Sequence, residues 1–374
     1  MECAGNEIHY GQQKQASLTE KAFRIWGTCC NLPADKRICH LNYNLKAMKY
    51  RSFKGTSISE VGLGTWQLGS ADWGSINEAE AFSILESFVA EGGNFIDTAD
   101  VYGMGISERT IGKFLSTAAG NLFVATKLGR RSDGENGWPQ NFSYERMKRQ
   151  AEESLTHLGV DTLFLEQLHC IPTEELRQGH VFDHLRRLQQ DKLIRHWGVS
   201  VETTEEALLC LEQDGLASLQ VIFNLFRQHV ADEIFAIAKE KDVAIIVRVP
   251  LASGLLTGKF NEQTSFAPND HRNFNADGSA FNAGETFSGI EFRQGVKLAG
   301  EIASKFPDNR TAQWAIRWIL DHPEVTTVIP GASKVEQVRS NVAASNLPSL
   351  LPERHAELRK LYDEKIRSSI RGHY

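Results

Sequence analysis

Four polar side chains stand at or just beyond the ends of three consecutive apolar runs in this chain. Asp97 closes "NFIDT" (94–98), and Tyr102 lies in the loop that follows. Lys127 ends "LFVATK" (122–127), and His169 comes directly after "TLFLEQL" (162–168). Taken singly, each is an ordinary strand-end or loop residue. Taken together, their types suit the reduction of a carbonyl. A carbonyl that receives a hydride also needs a proton on its oxygen, and a phenol with a pKa of ~10 gives one up reluctantly near neutrality. A nearby ammonium favours the phenolate, so Lys127 is expected to lower the pKa of Tyr102. A buried lysine in turn needs a counter-ion, for which Asp97 is suited. His169 has two open roles, a hydrogen bond to the substrate oxygen or a relay of the proton.

The elements that must position these groups follow from hydrophobic patterning. Short apolar runs occur at 59–63, 94–98, 122–127, 162–168, 194–199, 218–223, 244–250 and 326–330. Stretches of helical period alternate with them at 77–91, 107–118, 143–158, 174–190, 203–214, 231–241, 287–321 and 334–345. Such alternation argues for an α/β fold with a parallel sheet. A doubly wound dinucleotide fold requires G-x-G-x-x-G opening the first helix. Gly62 and Gly64 fit, but Gln67 stands at the third position; after Gly103 and Gly105, Glu108 does. Both candidates fail. Eight strands and a core of roughly 250 residues favour a (β/α)8 TIM barrel, whose active site lies at the C-terminal strand ends. The four side chains then converge on one mouth. The remaining residues go to an N-terminal extension, a long loop at 253–286 and a C-terminal helix near 352–368.

Composition narrows the function further. The chain has 374 residues, 41% hydrophobic and 24% charged, with net charge −6 and a pI near 6.1. That balance argues against a nucleic-acid surface, and no apolar run reaches the ~20 residues of a membrane span. Cys3, Cys29, Cys30 and Cys39 cluster early, and only Cys170 and Cys210 lie beyond. With no CxxC pair and no secretory signal, the reading is a reducing compartment, the cytoplasm, with unpaired thiols. No metal site is expected: Cys29-Cys30 is poor zinc geometry, and His180 and His184 have Val181 where HExxH needs glutamate. Residues 1–47 lack periodicity and read as a poorly ordered extension, or as sequence upstream of a working start at Met48; the barrel domain is 48–374. Trp66, Trp73 and Trp138 fall in or beside mouth loops and are candidates for an apolar substrate wall, whereas Trp314 and Trp318 read as core.

The words around these residues make the chain recognisable. "GLGTW" (62–66), "NFIDTADVYG" (94–103), "ATK" (125–127), "QLH" (167–169) and "GVS" (198–200) occur in order. "PLASGLLTGKF" (250–260) and "VIPGASKVEQVRSN" (328–341) complete the series. The chain closely resembles the aldo-keto reductase superfamily, nearest the branch of bacterial general reductases and potassium-channel β subunits. The resemblance implies an NAD(P)H-dependent oxidoreductase with Asp97, Tyr102, Lys127 and His169 as catalytic tetrad. By position it puts Gly64, Thr65, Trp66 and Asp97 at the nicotinamide side, and Ser200 and Gln220 on the carboxamide. Val201 stands where the family often has Asn. Leu251, Ser253 and Lys259 match the belt over the pyrophosphate, with Arg272 as a further candidate. Gly331, Ser333, Gln337 and Asn341 match the adenosine-phosphate end. Ser333 and Lys334, at a helix N-terminus suited to anions, point to a 2′-phosphate and so to NADP over NAD. The implied partner is a small carbonyl compound. Two other readings stay open: a redox-sensing regulatory subunit, and an NAD-linked sugar or polyol dehydrogenase. Oligomeric state is not legible.

Overall fold

The computed structural model describes residues 48–69, 76–131 and 142–373. The proposed extension 1–47, with its four cysteines, and the mouth residues Trp73 and Trp138 lie outside them. The described chain enters through an antiparallel hairpin, β1 (Tyr50–Phe53) and β2 (Thr56–Ser59). Its turn residues Lys54 and Gly55 both have positive φ, 45° and 80°. That two-residue geometry matches the twist of the strands it joins, and glycine adopts it without a steric penalty. Phe53 and Ile58 are fully buried against Phe95, Ala125, Leu165, Ala217, Ala244 and Ile246, so the hairpin plugs one end of the barrel. The first expected barrel strand, 59–63, is therefore divided. Ser59 ends the hairpin, and the barrel begins only at β3 (Leu63–Gly64).

From there the order is β4 (Phe95–Asp97), β5 (Phe123–Leu128), β6 (Leu163–His169), β7 (Ile194–Ser200), β8 (Ser218–Ile222), β9 (Ala244–Arg248) and β10 (Val325–Val328). All neighbours pair in parallel. The parallel bridges Val61–Val328 and Gly64–Gly331 join the first strand to the last. The result is the (β/α)8 barrel, with the seven later strands within a residue or two of their expected positions. These strands are buried on both faces and so read as continuous apolar runs.

The helices match their amphipathic stretches, but two of the stretches are divided. The one expected at 174–190 is Thr173–Gln178 and His180–Gln190, separated at Gly179, whose φ is 80°. The long stretch expected at 287–321 is two helices, Phe292–Ala303 and Thr311–Leu320. Pro307 lies between them, and a proline cannot continue a helix. Trp314 and Trp318 are buried in the core, as expected. The C-terminal helix Pro352–Leu361 runs on through further turns to Ser369. Among the described residues no helix is long and apolar enough to cross a membrane.

Candidate active site

Strand alternation and register assemble the tetrad. On β5, Ala125 and Lys127 point inward; on β6, Leu165, Gln167 and His169 do, with the intervening residues facing the helices. Asp97 pairs with Ala125 and Gly64, Lys127 with Gln167, and His169 with Ser200, which pairs with Gln220. Neighbouring strands thus deliver polar groups in staggered layers at their C-terminal ends. Tyr102 is placed by the loop after β4. Gly103 makes this possible, because a Cβ there would lie 1.8 Å from the Gly69 carbonyl oxygen. The Ser107 hydroxyl ties the loop down: it accepts from Thr98 Oγ1 (2.9 Å) and donates towards Thr65 Oγ1 (2.9 Å).

Lys127 is the centre of the arrangement. Its Nζ donates to Asp97 Oδ1 at 2.6 Å and to the Thr98 carbonyl at 2.7 Å, and lies 3.5 Å from Tyr102 Oη. The other carboxylate oxygen of Asp97 accepts from Gln220 Nε2 at 2.7 Å and Gln167 Nε2 at 3.3 Å. His169 stands edge-on to the Tyr102 ring at 5.9 Å between centroids. Trp66 stacks on that ring with centroids 6.1 Å apart.

The electrostatics follow from burial. Desolvation of Lys127 opposes its charge, but Asp97 and Tyr102 outweigh it and hold the ammonium above its usual pKa. Desolvation pushes His169 well below its ordinary value, aided by Lys127, Arg130 and Arg248, so its ring is neutral. For Tyr102 the sequence-based expectation is reversed. Lys127 does pull the phenol down, but burial is the larger effect and Asp97 and Glu285 reinforce it, so the pKa is raised. The phenol stays protonated throughout the neutral range, and the lysine's contribution is to limit that rise.

A cavity of about 740 Å³ opens from this layer towards the helix Val335–Ala343. Gly64, Thr65, Trp66, Asp97, Tyr102, His169, Ser200, Gln220, Leu251, Ser253, Lys259, Arg272, Gly331, Ser333, Gln337 and Asn341 all line it. Lys127 lies behind Asp97, and Lys334 is exposed outside the lining. Several expected ligands are engaged within the protein. Ser253 Oγ donates to the Glu285 carbonyl (2.9 Å) and accepts from the Phe287 N–H (3.1 Å). Arg272 is paired with Asp270 and lies over the Phe266 ring at 4.5 Å. Gln337 Oε1 accepts from both the Ser333 N–H (2.7 Å) and its hydroxyl (3.1 Å), which organises the loop ahead of that helix.

Among the lining or supporting residues that escaped the sequence reading are Gln167, Arg130, Cys170, Arg248 and Glu285. Arg248 ends an apolar strand just as Lys127 does, so the same criterion would have found it. Glu285 sits in a long irregular loop and carries no local signal. Sulfur and carboxylate atoms of Cys170, Glu202 and Glu285 lie within 4.8 Å of one another, a grouping a metal ion could favour. Here the cation among them is the Arg248 guanidinium, which pairs with Glu285 and reaches Cys170 Sγ at 3.7 Å. His184 Nδ1 lies 3.0 Å from the Phe142 carbonyl oxygen.

An eight-stranded parallel barrel carrying an Asp-Tyr-Lys-His group at its mouth defines an oxidoreductase class, and comparison with known proteins agrees. The model of the Aldo/keto reductase family matches residues 60–363, and the chain belongs to that family. It is 31% identical over 303 residues to the uncharacterized oxidoreductase YqkF of Bacillus subtilis, covering 80% of this chain and 92% of that one. Aldo-keto reductase YhdN of the same organism is 29% identical, covering 78% and 87%. Among solved structures, glycerol dehydrogenase from Gluconobacter oxydans superposes with a TM-score of 0.71 at 29% identity, covering 87% of this chain and 98% of that one. The holo form of an aldo-keto reductase from Bacillus halodurans gives 0.68 at 26%, covering 84% and 96%.

Proposed function

We propose that the protein is an NADPH-dependent reductase of aldehydes or ketones in which Tyr102 donates the proton. The observation that carries this reading is the contact of Lys127 with both Asp97 and Tyr102 at the cavity floor, beside a neutral His169. The cavity suits a nicotinamide dinucleotide by the chemistry of its donors. Amide and hydroxyl groups of Gln220 and Ser200 stand at one end, Lys259 and Arg272 lie along it, and Ser333, Gln337 and Asn341 stand at the other. When bound, such a cofactor supplies the hydride. The chain's own residues do the rest. Asp97 keeps Lys127 charged and fixed, and Lys127 places a positive charge where phenolate develops as Tyr102 Oη releases its proton. His169, without a proton to spare on a cationic ring, offers a hydrogen bond to the substrate oxygen. Trp66 covers the Tyr102 ring and limits the entry of water. Preference for NADP over NAD rests on Ser333 and the neighbouring Lys334.

The glycerol dehydrogenase likeness favours one second reading, oxidation of a polyol by the same residues in reverse. Tyr102 would then have to accept a proton, and its raised pKa places that direction at alkaline pH. The test is NADPH consumption over a panel of aldehydes and ketones, with Tyr102→Phe as control. We expect a loss of at least roughly 100-fold in kcat with NADPH affinity retained. A Tyr102→Phe enzyme that reduces carbonyls at the wild-type rate would sink the assignment, and turnover of alcohols alone, with NAD, would favour the second reading.

A further inference from the structure

The cavity carries cations that the tetrad does not use. Along β9, Ala244 and Ile246 face the barrel interior and pack in the layer that Phe53 closes. Arg248 is the next residue with that orientation, so strand alternation turns a guanidinium into the cavity, which Arg248 lines. Ile246 pairs with Gln220, and Arg248 therefore stands one layer nearer the mouth than the Gln220 amide. The guanidinium is fixed there. It donates to the Val201 carbonyl at 2.9 Å and pairs with Glu285. It also lies 3.7 Å from Cys170 Sγ, which is 3.5 Å from Ser200 Oγ. Burial pushes the Cys170 thiol up to about 11, so the sulfur is neutral and cancels none of the charge. Arg130, a second cation in the lining, stands 5.9 Å from the Phe281 ring centroid.

His169, which pairs in register with Ser200, senses the local balance of charge. The charges that act on it are three cations, Lys127, Arg130 and Arg248, whereas Asp97 and Glu285 act on Tyr102. A hydride donor must reach the same carbonyl that Tyr102 protonates, so the nicotinamide ring belongs at this end of the cavity. The two forms of the cofactor differ there by one positive charge: the ring is neutral in NADPH and cationic in NADP+. Where water is excluded, repulsion between like charges is poorly screened. We infer that Arg248, with Arg130, makes the site tell the two forms apart and hold NADPH more tightly than NADP+. The spent form then leaves readily and competes weakly with fresh NADPH, with a less favourable hydride step inside the site. Glu285 offsets part of the Arg248 charge and keeps the discrimination moderate. The inference rests on the NADPH-dependent reading of the same cavity.

The experiment is calorimetric titration of the full chain with NADPH, with NADP+ and with adenosine 2′,5′-bisphosphate, a fragment that lacks the nicotinamide. The quantity read is the ratio of the Kd for NADP+ to the Kd for NADPH. It should be about tenfold in the wild type and fall towards one in Arg248→Met, with affinity for the fragment unchanged. Arg248→Lys keeps the charge and should keep the ratio. A wild-type ratio near one overturns the inference. So does an unchanged ratio in an Arg248→Met protein that still binds the fragment, or a ratio lost equally in Arg248→Lys and Arg248→Met. If Arg248→Met no longer binds the fragment, Arg130→Met decides: its ratio should also fall, and an unchanged one overturns the inference. Failure of the wild type to bind any of the three ligands has a different meaning, because it removes the dinucleotide reading of the cavity itself.

Discussion

Asp100 lies two residues before Tyr102 and takes no part in the chemistry assigned to its neighbours. Its carboxyl oxygens are both buried and have no hydrogen-bond partner among the described residues, although Arg131 Nε is 3.7 Å away. Burial, reinforced by Glu108 and opposed by Arg131, raises its pKa from 3.8 to about 8. Between those two values the folded state holds a proton that the unfolded chain has lost, so the free energy of unfolding falls as pH rises through that window. Asp100→Asn should remove the dependence. Melting temperature measured from pH 4 to 9 should show no gain near pH 4 and a gain of order a few kcal/mol of stability at pH 8 and above. A difference that is constant with pH would contradict it. At this scale the sequence was most informative where a polar residue interrupts an apolar run at its C-terminal end, as Asp97, Lys127 and His169 do. Arg248 met the same criterion and was passed over. Gln167 lies within the word "QLH", but its amide hydrogen bond to Asp97 becomes visible only when β4 and β6, with β5 between them, turn both side chains into the barrel. The direction of the Tyr102 pKa was missed because burial, a property of the assembled mouth, outweighs the one neighbour that sequence could supply.

Among the elements, the entrance hairpin β1–β2 supports the site from the far end of the barrel. Phe53 is fully buried, with ring centroids of Phe164 and His196 at 5.4 and 5.5 Å. Phe53→Ala should cost about 3–5 kcal/mol in denaturant unfolding, the usual range for truncating a buried phenylalanine. Carbonyl reduction at low temperature should be retained, since no tetrad residue touches the plug. A loss below about 1 kcal/mol would mean that the barrel end closes without it. The hairpin was missed because its Lys54-Gly55 turn lacks the Asn-Gly or Asp-Gly signature and the run 59–63 offered a plausible strand at the expected place. The boundary between Phe292–Ala303 and Thr311–Leu320 was also marked in the sequence, by Pro307, yet the helical period on either side concealed it. The strands β4 to β10 were legible because parallel strands buried on both faces cannot alternate with polar residues and so stand out as blocks.

For the whole molecule, closure of the ring is uneven. β6 and β7 pair from Leu163 to His169, whereas β3 is only Leu63–Gly64. The join between first and last strands depends on Gly62 N–H to the Val328 carbonyl (2.8 Å), Val328 N–H to Glu60 (3.0 Å) and Gly64 N–H to Pro330 (3.2 Å). The cavity lies across this join, with Gly64, Thr65 and Trp66 on one side and Gly331 and Ser333 on the other. A dinucleotide seated there would act as a clasp, fastening two edges that the backbone alone holds lightly. Amide hydrogen exchange should report it. On addition of NADPH, the amides of Gly62, Gly64 and Val328 should slow more than those in the middle of β6 and β7, which need no such help. Equal slowing around the ring would indicate general tightening of the barrel. Selective slowing would mean that the ligand's affinity includes the work of keeping the cylinder shut, so that mutations which loosen the join would weaken binding without touching a single contact to the ligand.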